Sequence, residues 1–432
     1  MKIRLPKIKV VQLNCGGTLI YEKTNFNQAS SVRIGFSVGS AQNEINGTAH
    51  FIEHMYNHCT KKRDKETLVA DIKKYFGTSY NAGTWRFATL ITFTRVNSLL
   101  DQCFELASDM LINGDLDPKL MESERGVILE EYKRKLDLQK TSIGIDHENA
   151  MLEYIYSPQQ TLGDEADLAK ITPEVINNFK SKYYNKQNFI VSVAGSESLG
   201  KVKKYVEKHF AALPSGGECA PSTLQNIVKP SNMQVLEKEL DTPLVYISLK
   251  CVGLNNPKHY TMGFLCEYLN GQNGKLFRLV RESGLAYSIS ASRCHFTESG
   301  SLDFSFKASK ENVNKVIDKI SIVVDDIMAN GIPEDRIKQA KENFEYSFKE
   351  SQTTNGREAV YNAVSYITKE PFTSQADIKA VLDMDKQTID SYMRELFSKN
   401  TEVYVTIGGR GLKASDFYDL KTIKKMILKG NK

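Results

Sequence analysis

The chain has 432 residues, of which 41% are hydrophobic and 25% charged, and its net charge is +5 at pH 7. That length exceeds one small core and predicts two or more domains. The modest charge, with no basic stripe interleaved with aromatics, argues against nucleic acid as a partner, and no apolar run approaches the length of a membrane span.

The opening stretch, "MKIRLPKIKVVQLNCGG", lacks the apolar core of a signal peptide and the Arg-rich pattern of a transit peptide. Seven cysteines, at 15, 59, 103, 219, 251, 266 and 294, are odd in number, scattered and without a CxxC pair. Both features predict a cytoplasmic chain with reduced thiols. Strand signals follow at 17–23 and 30–40, rich in β-branched residues.

Next comes "GTAHFIEHMYNHCTKKR", residues 47–63, holding three of the seven histidines at four-residue spacing. On a helix, His50, Glu53 and His54 share one face. Two imidazoles one turn apart can chelate a Zn²⁺ ion. Glu53 would then face the open side of the metal, placed to take a proton from water there. H-x-x-E-H is the inverted form of the zincin motif. A catalytic zinc also needs a third protein ligand. His58 would lie on the same face if the helix continued, as a fourth ligand that closes the site; if the helix ends before it, His58 is a bystander.

Helical periodicity runs through 64–76, a strand through 87–96, and further helices through 97–112 and 118–137. In the last of these, "MESERGVILEEYKRK" sets Glu124 and Glu131 two turns apart with Ile128 between them. A carboxylate from this face could complete a His₂Glu site, although such a charged helix is more often simply solvated.

Residues 171–195 and 384–409 then echo each other: polar helix start, amphipathic helix, and a strand closing on Gly195 or Gly408. Between them, "AALPSGGECAPST" concentrates Pro, Gly and Ser as a linker does. The second half carries strand patterns at 243–253 and 301–309 and helical ones at 257–270, 310–329 and 334–352. "KTIKKMILKGNK" reads as a solvated terminal helix. Strands neighbour strands, and helices do not alternate strictly with them. The expected class is therefore α+β, with two homologous domains at 1–212 and 227–432 joined by a linker at 213–226.

These motifs together resemble the pitrilysin/insulinase superfamily of zinc peptidases. "GSAQNE…GTAHFIEHM" is similar to the family's Gly-Ser-x-x-Glu followed by Gly-x-Ala-His-Phe-x-Glu-His-Met. "YNAGTWRFAT" is similar to its Asn-Ala-x-Thr-x-x-x-x-Thr, and "KLFRLVRESGLAYSIS" to Leu-Phe-x-x-x-Arg-Glu-x-x-Gly-Leu-Ala-Tyr. The resemblance implies one Zn²⁺ per chain held by His50, His54 and Glu131, with Glu53 as catalytic base and Glu124 as a supporting, non-coordinating glutamate. It implies substrate contacts from Asn81 and Ala82, on a segment leading into an edge strand that pairs with the peptide. It also implies contacts from Arg281 and Tyr287 in the second domain. The segment here is one residue shorter between Arg281 and Gly284 than the family pattern, so Arg278 is the alternative arginine. "HCT" (58–60) stands where the family commonly has Lys-Gly-Thr. The implied activity is zinc-dependent endopeptidase action on peptides or unfolded segments, in half of a clam-shell formed by a homodimer or by a heterodimer with a related subunit. A non-catalytic or partner-dependent subunit is the alternative.

Overall fold

The structure, a computed structural model, describes residues 7–24, 28–153, 158–219, 227–254, 256–295, 299–351, 355–368 and 373–429. The chain divides into two compact units, and each mixes one large sheet with packed helices, as the α+β expectation requires; a small two-stranded sheet pairs Leu152–Glu153 with Ile227–Val228 in the second.

In the first unit the strands are β1 (Ile8–Gln12), β2 (Thr18–Lys23), β3 (Ala29–Phe36), β4 (Asn81–Thr84), β5 (Thr89–Val96) and β6 (Phe189–Gly195). They lie in the order β1-β2-β6-β3-β5-β4. β6, "FIVSVAG", is buried along its whole length, as a central strand covered on both faces must be. It runs parallel to β2 and antiparallel to β3. Three helices of this unit matter most: α1 (Thr48–Met55), α2 (Leu100–Asn113) and α3 (Pro118–Thr141). Their apolar stripes meet the sheet in one core that includes Phe36, Phe51, Phe93, Phe104 and Phe189, each fully buried.

The second unit holds β7 (Asn232–Glu237), β8 (Leu244–Val252), β9 (Ser288–His295), β10 (Ser299–Lys307) and β11 (Val403–Gly409), ordered β9-β10-β8-β11-β7. β11 runs parallel to β7 and antiparallel to β8. The spatial sequences β2-β6-β3-β5-β4 and β7-β11-β8-β10-β9 are therefore one topology used twice, with a single parallel pair at the same place in each. The sequence echo at 171–195 and 384–409 marks equivalent helix–strand pairs of these sheets.

The units are not the contiguous domains expected at 1–212 and 227–432. Unit one gathers residues 1–136, 156–223 and 349–376; unit two gathers 137–155, 224–348 and 377–432. The expected linker at 213–226 lies partly, at 220–226, outside the described residues. Two helices cross over. α4 (Ile143–Met151) packs on the second sheet, where the Ile143 side chain fills the space above Gly408; a Cβ there would come within 2.3 Å of it. Its His147 donates or accepts at both ring nitrogens, 2.8 Å from Thr406 Oγ1 and 2.7 Å from Ser248 Oγ. In the other direction, α5 (Asn355–Thr368) packs on the first sheet, where Asn362 donates to buried Glu22 at 2.8 Å and Tyr366 meets Thr18 at 2.8 Å. Periodicity in sequence shows that a helix has an apolar face, but not which sheet covers it. Among the described residues, no helix is long and apolar enough to cross a membrane.

Candidate metal centre

α1 starts where Gly47 turns the chain with φ +85°, a conformation that favours glycine. The Asn43 side chain accepts the Ala49 N–H at 3.0 Å and satisfies one of the helix's first donors. Ala49, Phe51, Ile52 and Met55 anchor α1 in the core, so His50 and Glu53 are carried inside with them, each under one-tenth exposed. α3 approaches through Met121 and Ile128, both buried, and the same face carries Glu124 and Glu131.

The two helices bring their polar residues together. Glu131 Oε2 lies 3.8 Å from Nε2 of both His50 and His54. Glu53 Oε2 lies 3.7 Å from His50 Nε2. Among the described residues, His50, Glu53 and His54 form a group whose donor atoms all lie within 4.8 Å of one another. Adjacent ligands around a tetrahedral zinc stand about 3.4 Å apart, given bond lengths of roughly 2.0–2.1 Å. The two His–Glu131 separations of 3.8 Å stand close to that spacing, and two imidazoles with one carboxylate suit zinc. The residues present therefore fit the ion.

Electrostatics separates the two carboxylates. Burial, reinforced by the negative Glu131, pushes the Glu53 carboxyl up to about 7. Glu131, close to the imidazoles of His54 and His50, is held below the usual carboxylate range despite its partial burial. Glu131 is thus the anionic ligand type, and Glu53 the group poised to exchange a proton near neutrality. Burial, then the neighbouring His54, lowers His50 to about 4, so its ring stays neutral and able to coordinate. Burial opposes charge on His54, but Glu131 and Glu124 raise it overall. The Thr84 hydroxyl lies 3.5 Å from Glu53 Oε2 and 3.4 Å from the Ala49 carbonyl, linking the edge strand to the glutamate.

Glu124 does not join the convergent group. Its Oε2 accepts from His54 Nδ1 at 2.8 Å, which leaves His54 Nε2 with its lone pair turned to the cluster. Its Oε1 lies 2.8 Å from Nε2 of His58. α1 ends at Met55, yet the turn beyond it brings His58 inward, buried to 5% exposure. His58 thus turns its Nε2 to Glu124. Spacing along one helix could not show this, because the partner lies on α3.

Asn81 and Ala82 sit on β4, an outermost strand of the first sheet, which among the described residues pairs with β5 alone. Arg281 and Tyr287 belong to the second unit. Tyr287 is 79% exposed just before β9, and its N–H donates to the Lys307 carbonyl at 2.9 Å. Arg281 closes a wide turn in which Glu282 N–H reaches back to the Phe277 carbonyl. Its guanidinium lies over the Phe277 ring, while Arg278 reaches Asn273 Oδ1 at 3.4 Å; both arginines are exposed.

Two family patterns match the chain: insulinase (peptidase family M16) over residues 18–150, and the peptidase M16 inactive domain over 170–344. Curated relatives include the mitochondrial-processing peptidase subunit beta of Neurospora crassa, 25% identical over 68% of this chain and 65% of that protein. The chain thus spans just under two thirds of that relative's length. The uncharacterized zinc protease YmxG of Bacillus subtilis is 23% identical over 86% of this chain and 91% of its own. Among solved structures, a protease from Helicobacter pylori superposes with a TM-score of 0.78 at 20% identity, covering 94% of this chain and 100% of that one. The first half of the periplasmic protease PqqL from Escherichia coli also gives 0.78, at 16% identity, over 97% and 96% of the two chains. These superpositions speak for the fold.

Proposed function

This chain belongs to the insulinase family of peptidases, M16, and from that premise we propose that it is a zinc-dependent endopeptidase acting on peptides or unfolded polypeptide segments. The observation that carries the reading is the convergence of His50, His54 and Glu131, with Glu53 at its side. The first three would hold one Zn²⁺, which when bound supplies Lewis acidity to polarise a carbonyl and acidify water.

The chain's own residues do the rest. Glu53, whose carboxyl burial pushes upward in the metal-free chain, accepts a proton and returns it to the leaving amine. Glu124 holds His54 in the tautomer that presents Nε2. The open side of β4 offers main-chain groups to an extended peptide, beside Asn81 and Ala82. Roles for Arg281 and Tyr287 at the substrate oxygen are carried by the family resemblance alone. A cytoplasmic location is part of the same proposal, and cell fractionation tests it.

Metal analysis and cleavage of a peptide library, with Glu53→Gln as control, test the reading. We expect stoichiometric zinc in both proteins and a loss of turnover of about 10²–10⁴-fold in the variant. Cleavage at the wild-type rate by Glu53→Gln would refute it. A second reading, a partner-dependent subunit, is favoured by the relatives named as beta subunits of a processing peptidase. We expect a self-sufficient homodimer instead; a purified chain that turns over peptide only after a related chain is added would favour the second reading.

A further inference from the structure

We propose that His58 is a positioning residue of the metal site: its ring holds the Glu124 carboxylate, which in turn fixes His54. This rests on the zinc reading above.

The Glu124 carboxylate accepts on both oxygens, from His54 Nδ1 at 2.8 Å and from His58 Nε2 at 2.8 Å. A carboxylate only accepts, so each of those ring nitrogens carries the hydrogen. That assigns His58 to a form with Nε2–H, and leaves His54 Nε2 free to face Glu131. The three side chains are 18%, 13% and 6% exposed for His54, Glu124 and His58, so water does not readily replace either bond. His58 Nδ1 is buried without a hydrogen-bond partner. Among the described residues, the ring's one hydrogen bond is to Glu124.

The surrounding chain orients the ring. His58 N–H bonds the Met55 carbonyl at 3.2 Å, and two residues on, Thr60 Oγ1 donates to fully buried Asp109 at 2.6 Å. The turn is therefore pinned to α2 while its histidine reaches α3. Removing the His58 N–H strands Glu124 Oε1 without a donor in a buried place. The carboxylate is then free to rotate, and His54 loses the fixed partner that sets its ring. Groups behind a metal ligand are worth about 10–100-fold in metal affinity, and a residue one bond further out belongs at the low end of that range.

The test is zinc affinity of the full chain by competition with a chromophoric chelator, well below the melting temperatures of all variants. His58→Leu keeps bulk and removes the donor; His58→Gln keeps an amide N–H at a similar reach to Nε2. We expect about tenfold weaker zinc binding for His58→Leu and a value within about threefold of wild type for His58→Gln. A purely structural role would lower the melting temperature of His58→Leu and leave its zinc affinity unchanged, and that result overturns the proposal. If His58→Leu does not fold, His58→Asn, whose amide is too short to reach Glu124, carries the same comparison. Wild-type protein that binds no zinc would instead defeat the proposed function, a failure distinct from wild type and His58→Leu binding zinc equally well.

Discussion

Acidification should weaken the second unit through one residue, His147. Its imidazole is buried on α4, bonded to Thr406 and Ser248 and stacked on the Tyr246 ring at 5.3 Å. Burial lowers it to about 4, against about 6.5 in an unfolded chain. A group with a depressed folded pKa stabilises the native state above the unfolded value, and that contribution is lost as pH falls from about 6.5 towards 4. The expected loss at pH 5 is RT ln[(1 + 10^1.5)/(1 + 10^−1)], about 2 kcal/mol. Asp303 and Glu148 face the same network and are both raised by burial. They gain protons on acidification and push the other way, so wild type alone does not isolate His147. The assay is urea unfolding of wild type and His147→Gln at pH 8 and pH 5. The variant starts less stable because it loses part of a buried network, but the gap between the two should narrow by about 2 kcal/mol at pH 5. A gap of equal size at both pH values would refute the reasoning.

Three further outcomes follow from the first unit. The Arg63 guanidinium, 14% exposed, lies 2.6 Å from the fully buried Asp109 carboxylate and also pairs with Asp71 and Glu105. Arg63→Met should cost about 3–5 kcal/mol in urea unfolding, with partial recovery on adding Asp109→Asn. Gly47→Ala should cost about 2–4 kcal/mol and weaken zinc binding, because the new Cβ sits 2.5 Å from the Leu162 carbonyl at a positive φ; wild-type stability would contradict this. Chelator-treated protein should regain about 4 kcal/mol of stability in zinc at 1,000 times its dissociation constant. Differential scanning fluorimetry checks this, and Glu131→Ala should show little of the gain.

The reactive face of α1 was legible because a helix places its ligands by local spacing, so His50, Glu53 and His54 could be put together from their intervals. Glu124 and Glu131 were readable as a pair for the same reason, but only the structure shows that the latter approaches both imidazoles while the former turns to His54 and His58. The role of His58 hides in sequence, since its partner is 66 residues away on another helix. The strand β4, "NAGT", is short and has little β-branched character, so its place at the sheet edge came from pairing rather than composition. The topology shared by the two sheets was visible only at one helix–strand pair. The crossing of α4 and α5 was not visible at all, because an amphipathic stripe does not name the surface that will cover it.

That crossing sets the order in which the protein can be completed. During synthesis the first sheet has all its strands once residue 195 has emerged, yet α5, its covering helix, arrives only after residue 355. Until then the groups that will meet α5, Glu22 and Thr18 among them, lack those partners. Contacts of such long range slow folding and prolong exposure of an unfinished surface. Expressing the chain as two pieces severed near residue 220 would leave each piece with a segment that belongs to the other. Co-expression of both pieces should therefore restore solubility that neither has alone.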